Sequence, residues 1–183
     1  MNDVLVSEFV VCRVVDIYQI YNRNVLKDLV VAHPDLLTDL SEHLPLKGRE
    51  IVGLMNGAIH PSQLLDKVQF TDRAVREHIH KKLGFWKESE LDYLIPARNC
   101  IVHSDGYGFD PKLRARLENE GTRWNLPLRF AVDGRLILEP QAAYVSIEVA
   151  MAQISIMDQG CANNYRVDSS EHSPRTYSLE WTE

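Results

Sequence analysis

Apolar residues recur at helical spacing through most of the 183-residue chain, and Pro or Gly marks the places where the spacing stops. Between Ser7 and His33 the residues Val10, Val14, Ile17, Tyr18, Tyr21, Val25 and Leu29 form one stripe. That stripe predicts a helix of at least about twenty residues, ended at His33-Pro34. PDLLTDLSEHL and LKGREIVGLMNGAIH predict two shorter helices. PSQLLDKVQFTDRAVREHIHKKLG predicts another, with Pro61 in its first turn and Gly84 at its end. ESELDYLIPARNCIVHSDG predicts the next, with Ser89 as cap, Pro96 as a kink or restart and Gly106 as the stop.

The texture then changes. LPLRFAVDGRLILEP is two short apolar runs around Asp133-Gly134, which predicts a two-stranded hairpin over about 127–139. PQAAYVSIEVAMAQISIMDQG predicts a closing helix as far as Gly160, and CANNYRVDSSEHSPRTYSLEWTE has no sustained period. The expectation is an all-α domain over residues 1–160, with a small hairpin inserted before the last helix, and a polar tail over 161–183 that docks, if at all, through Trp181.

Composition narrows this picture. A hydrophobic fraction of 45% and a charged fraction of 25% are those of a globular protein long enough to bury a core. No apolar run has the length of a membrane span, and Asp3, Glu8 and Asp16 stand where a signal peptide would be basic, so the expected compartment is the cytoplasm, with no membrane partner. Cys12, Cys100 and Cys161 are odd in number and far apart, as expected of reduced thiols. The net charge of −6 is uneven: residues 1–66 carry 5 basic and 9 acidic side chains, 67–135 carry 13 and 10, and 136–183 carry 2 and 7. A general nucleic-acid coat would be basic throughout, so contact with nucleic acid would be local.

One residue breaks the helical pattern. With about 100° of turn per residue, Leu91, Leu94, Ile95, Ile101 and Val102 all lie within about 60° of Arg98. An aliphatic stripe therefore carries a permanent cation at its centre. Burying an unpaired guanidinium costs several kcal/mol, so Arg98 needs a carboxylate such as Asp92 or Asp105, or a seam where it meets an anion. His103 lies about 140° round the same helix, whereas Asn99 is one turn before it on the same side. A single copy makes a poor two-residue site; two copies of the helix packed across a two-fold axis would gather two arginines and two histidines in one cleft.

Arg98-Asn99-Cys100-Ile101-Val102-His103 resembles the R-x-x-x-x-H signature of the HEPN superfamily in its R-N-x-x-V-H form, followed here by Ser-Asp-Gly. The resemblance implies a bundle of four to five helices with the motif on a late one, and a homodimer with two motifs at its interface. In active branches it implies a metal-independent endoribonuclease, found as a toxin with an antitoxin partner or as an antiviral defence effector. The hairpin and the tail are not general features of that family.

The residue types suit the chemistry. Cleavage of RNA by its own 2′-OH needs a base, an acid and positive charge on the phosphorane; histidine moves protons near neutral pH and arginine presents a fixed fork to phosphate oxygens. Arg98, Asn99 and His103 are the candidate catalytic residues, with Asn99 orienting His103 or holding the ribose. Ser104, Tyr107, Lys112 and Arg114 are candidate substrate contacts, with Arg116 beside them and Phe109 as a further stacking ring. No cofactor and no metal is expected: His78 and His80, two residues apart, diverge on a helix. Cys100, mid-helix without an oxyanion nest, reads as a packed thiol and not a nucleophile. GREIVGLMNG lacks the strand, lysine and hydroxyl of a phosphate loop. A second reading stays open: a catalytically silent helical module that binds a nucleotide or a protein, in which Arg98 is structural.

Overall fold

The computed structural model describes residues 3–40, 47–60, 63, 65, 68–107, 111–123 and 125–167. They form α1 (Asp3–Ala32), α2 (Leu36–Leu40), α3 (Gly48–Met55), α4 (Arg73–Leu83), α5 (Leu91–Ser104), α6 (Pro111–Arg123), β1 (Leu128–Phe130), β2 (Leu136–Leu138) and α7 (Gln141–Gly160), followed by a π-helical turn over Cys161–Tyr165. The fold is mostly helical, with one small antiparallel ribbon placed before the last long helix.

The 30-residue α1 is the spine of the core and packs most extensively on α7, then on α5. Its buried face runs through Val11, Val15, Tyr18, Tyr21, Val25, Leu26 and Leu29. The first two turns of the expected stripe are thus rotated: Val10 and Val14 are half-buried and Ile17 is 42% exposed. Apolar residues surround this helix on nearly every side, so spacing alone does not fix which of them faces the core; the helices packed on it do.

The helix ends follow local chemistry. Asp72 caps α4, its Oδ1 accepting from the amides of Ala74 and Val75 at 2.8 and 3.4 Å. Gly84, in the left-handed conformation, stops it. The helix therefore begins at Arg73; the expected start at Pro61 lies outside the described residues, and the chain at Val68–Phe70 is not helical. Ser89 does not cap α5 through its hydroxyl. It is buried, its carbonyl accepts from the Asp92 amide at 3.0 Å, and Glu90 stands at the N-cap position.

Leu128, Arg129 and Phe130 pair with Leu138, Ile137 and Leu136 around a turn in which the Gly134 amide donates to Ala131 at 2.9 Å. The hairpin expected at Asp133-Gly134 is therefore present. Leu136 and Leu138 are fully buried and fasten the ribbon to the helices.

At the other end, Gly160 lies against Phe85, whose ring atoms would sit 2.4 Å from an added Cβ, so any larger residue would push the last turn of α7 off that ring. The chain does not become a loose tail at 161. Cys161 is fully buried, the Tyr165 ring stands edge-on to Phe85 and His33, and the Tyr165 carbonyl lies 2.8 Å from His33 Nε2. The expected tail beyond Val167, with Trp181, lies outside the described residues. No described helix is long and apolar enough to cross a membrane.

Candidate active site

The motif helix α5 runs from the core to the surface. Leu91, Asp92, Tyr93, Leu94, Ile95 and Ala97 are all buried, and Cys100 is 4% exposed. Pro96 sits inside the helix without ending it. Beyond Cys100 the helix emerges, with Ile101 half-buried, Val102 49% exposed and His103 exposed. The expected stripe around Arg98 is corrected accordingly: Leu91, Leu94 and Ile95 are enclosed by their own protomer and are not free to meet a second copy.

Arg98 lies where burial gives way to exposure, its side chain 16% exposed. Its Nη2 donates to Asp16 Oδ1 of α1 at 2.7 Å, and its Nη1 donates to the neighbouring Asn99 Oδ1 at 3.2 Å. Its Nε is buried with no acceptor among the described residues. The partner is neither Asp92 nor Asp105. Asp105 occupies the left-handed position that ends α5, and Asp92 belongs to another cation.

Asp16 is the last of three residues, Glu8, Cys12 and Asp16, set four apart on one flank of α1. Glu8 is 6% exposed and meets Arg135 Nη2 from the hairpin at 3.5 Å, while its other oxygen and Arg135 Nε are buried without partners among the described residues. Burial pushes the Cys12 thiol above its ordinary range; the Arg98 cation pulls it back, and the Asp16 and Glu8 carboxylates add to the rise. The Cys100 thiol is pushed up by burial, as befits a packed thiol.

The exit of the motif is tied to the hairpin. The Gly106 amide donates to the Cys100 carbonyl at 3.2 Å, and the Gly106 carbonyl accepts from the Leu136 amide at 2.6 Å. Gly106 has φ 84°, and an added Cβ would meet the Arg135 side chain at 3.1 Å, so glycine is required both by the backbone and by the space. Tyr107 pairs with Arg135 in an isolated bridge and donates its hydroxyl to Asp133 Oδ2 at 3.4 Å. Ser104 is half-buried and its carbonyl accepts from the Tyr107 amide at 2.8 Å.

The basic residues of α6 divide. Lys112 is exposed. Arg114 pairs with Glu118 at 2.9 Å and lies over the Phe130 ring at 5.0 Å, and Arg116 lies over the Tyr93 ring at 5.6 Å. Those two arginines dress the hairpin and the core; Arg98 and Asn99 are what the fold joins directly. His103 shares their helix about 7.5 Å further along the axis. Phe109 lies outside the described residues.

A second polar group, which the sequence reading missed, is buried at the start of the motif helix. Arg76 of α4 donates to Asp92 in an enclosed ion pair, with side chains 3% and 2% exposed, and its Nη1 donates to the Phe70 carbonyl at 2.9 Å. His80 Nε2 meets Asn22 Oδ1 at 2.6 Å, and Asn22 Nδ2 donates to the Tyr18 carbonyl at 2.6 Å. Because the amide oxygen must accept, His80 carries its proton on Nε2. Burial, reinforced by the Arg76 cation, pulls the His80 pKa down to about 3, and burial pushes the Tyr18 hydroxyl up to about 12. His78 and His80 diverge, and no group of three or more His, Cys, Asp or Glu among the described residues is arranged to hold a metal ion. Comparison of the chain with protein-family models, curated proteins and solved structures gives no match.

Proposed function

We propose that this chain is a HEPN-type, metal-independent endoribonuclease, acting as a cytoplasmic homodimer of the kind that serves as a toxin with an antitoxin partner or as a defence effector. The observation that carries the reading is the placement of Arg98. A permanent cation joined to Asn99 stands at the rim of the fold, not in its closed core, on the helix that ends in an exposed His103.

The outer face of α1 supports the dimer. Leu5, Phe9 and Ile20 are 54%, 66% and 55% exposed, and all three lie within about 40° of Asp16 on the helical circle. An apolar face of this kind beside the Arg98 pair suits burial against a second copy. A partner's motif would then complete the cleft.

In that cleft Arg98 would hold a non-bridging phosphate oxygen. One His103 would take the 2′-OH proton as the O2′–P bond forms, and the other would protonate the departing 5′-oxygen as the P–O5′ bond breaks. The products are a 2′,3′-cyclic phosphate and a 5′-hydroxyl. The test is incubation of wild type, His103→Ala and Arg98→Ala with single-stranded RNA in EDTA. The expected result is cleavage by the wild type alone, with loss of about 10²-fold or more in His103→Ala. Intact RNA in all three would overturn this reading and favour the silent binding module, in which the Arg98–Asp16 pair is purely structural.

A further inference from the structure

We propose that Asp16 is a resident counter-anion that occupies Arg98 in the unliganded protein and gives way to a phosphate oxygen of the nucleic acid, so that the site is held closed from within the same chain. The inference rests on the phosphate-binding part of the ribonuclease reading. Three observations carry it.

The Nε–Nη2 edge of a guanidinium takes two oxygens of a carboxylate or phosphate side by side. Here Asp16 supplies one oxygen, to Nη2 at 2.7 Å, and Nε is left buried without an acceptor. A donor stranded beside a carboxylate that engages only one prong is an unfinished pairing, and a phosphate with two free oxygens finishes it.

The same incompleteness recurs one step along the cluster. Arg135 reaches Glu8 only at 3.5 Å, with Arg135 Nε and Glu8 Oε1 both unpartnered among the described residues. The pairs of this flank are loosely closed, whereas Arg76 and Asp92 at the start of α5 are tightly enclosed. Finally, Asp16 is the more exposed partner, at 34% against 16% for Arg98. Its carboxylate can turn into water when displaced, at a small desolvation cost, while the guanidinium stays in place.

The experiment uses the full chain and a fully 2′-O-methylated RNA strand, which binds without being cut. Asp16→Asn keeps an oxygen acceptor for Arg98 but removes the competing charge, and Asp16→Glu keeps the charge. Asp16→Asn is expected to bind the strand about threefold to tenfold more tightly than wild type at low salt, with Asp16→Glu close to wild type. The gain should vanish in Asp16→Asn/Arg98→Met. Equal or weaker binding by Asp16→Asn would overturn the proposal and make Asp16 a positioning residue, whether or not the wild type cuts RNA. A gain of affinity in a protein that cuts no RNA supports the counter-anion while refuting the nuclease.

A second measurement needs no variant. In wild type, the Arg98 Nε–H resonance should move downfield on addition of the same strand, as the stranded donor acquires an acceptor; an unmoved resonance at saturating RNA would overturn the proposal.

Discussion

Two arginine–aspartate pairs hang on the motif helix, and they differ in almost everything except their chemistry. Arg76–Asp92 joins α4 to the enclosed first turn of α5, with both side chains nearly inaccessible and a backbone carbonyl taking a further guanidinium proton. Arg98–Asp16 joins α1 to the point where α5 leaves the core, touches through one oxygen, and strands a donor. The first has its surroundings completed by its own chain. The second leaves one guanidinium donor without an acceptor among the described residues. Along the motif helix, burial separates an ion pair sealed in the core at Asp92 from one held at the rim at Arg98.

The largest effect should come from breaking the enclosed pair. Arg76→Ala leaves the Asp92 carboxylate buried alone and should cost about 3–5 kcal/mol in denaturant unfolding. The double variant Arg76→Met/Asp92→Leu should recover most of that loss. If Arg76→Ala unfolds like wild type, the contrast between the two pairs fails.

Acid should act next, through the enclosed His80. His80 is neutral in the fold, with a pKa of about 3 against about 6.5 in the unfolded chain. Below pH 6.5 the unfolded state takes up a proton that the folded state refuses. The stability present above pH 6.5 is therefore lost progressively as pH falls toward 3, by about 2 kcal/mol at pH 5. Urea titrations of wild type and His80→Gln between pH 5 and 7.5 should show this slope in the wild type and a flatter one in the variant.

Gly106→Ala, which forces a side chain into a positive-φ position against Arg135, should cost about 1–2 kcal/mol. It should also weaken the motif's exit, which thermal melting and backbone hydrogen exchange at Leu136 would report. The smallest effect belongs to the rim pair. Arg98→Ala removes a partly exposed, single-pronged contact and should change stability by no more than about 1 kcal/mol, read as a shift of a few degrees in Tm. A loss as large as that of Arg76→Ala would make Arg98 another structural arginine.

The elements legible in the sequence are those whose signals are local. Asp133-Gly134 fixes its hairpin, Gly84 and Gly106 stop their helices, and His33-Pro34 ends α1, because each acts through the backbone of a few neighbouring residues. The partner of Arg98 was not legible, because Asp16 lies 82 positions away and nothing near Arg98 points to it. Nor was the core-facing side of α1, where Val10 and Val11 carry the same side chain and only tertiary packing tells them apart. Arg114, read as a phosphate guide beside the motif, also pairs with Glu118 and lies over the Phe130 ring, and the ring contact comes from the hairpin, which its sequence neighbours do not announce. The buried group of Arg76, Asp92, His80 and Asn22 gave a faint signal, polar residues at helical spacing among apolar ones, which cannot be told from a solvated face without the fold.

The tie between Gly106 and Leu136 also bears on the order in which the molecule comes together during synthesis. The carbonyl that closes the motif helix finds its partner only after 30 further residues have left the ribosome, and α1 finds its most extensive packing in α7, which is made more than a hundred residues later. A nascent chain that has already exposed Arg98 and His103 therefore lacks both the strand that fixes the end of their helix and the surface that buries α1. Anchoring of the motif helix waits on synthesis of β2 and α7, and truncation anywhere before Leu136 leaves the motif residues translated but unanchored.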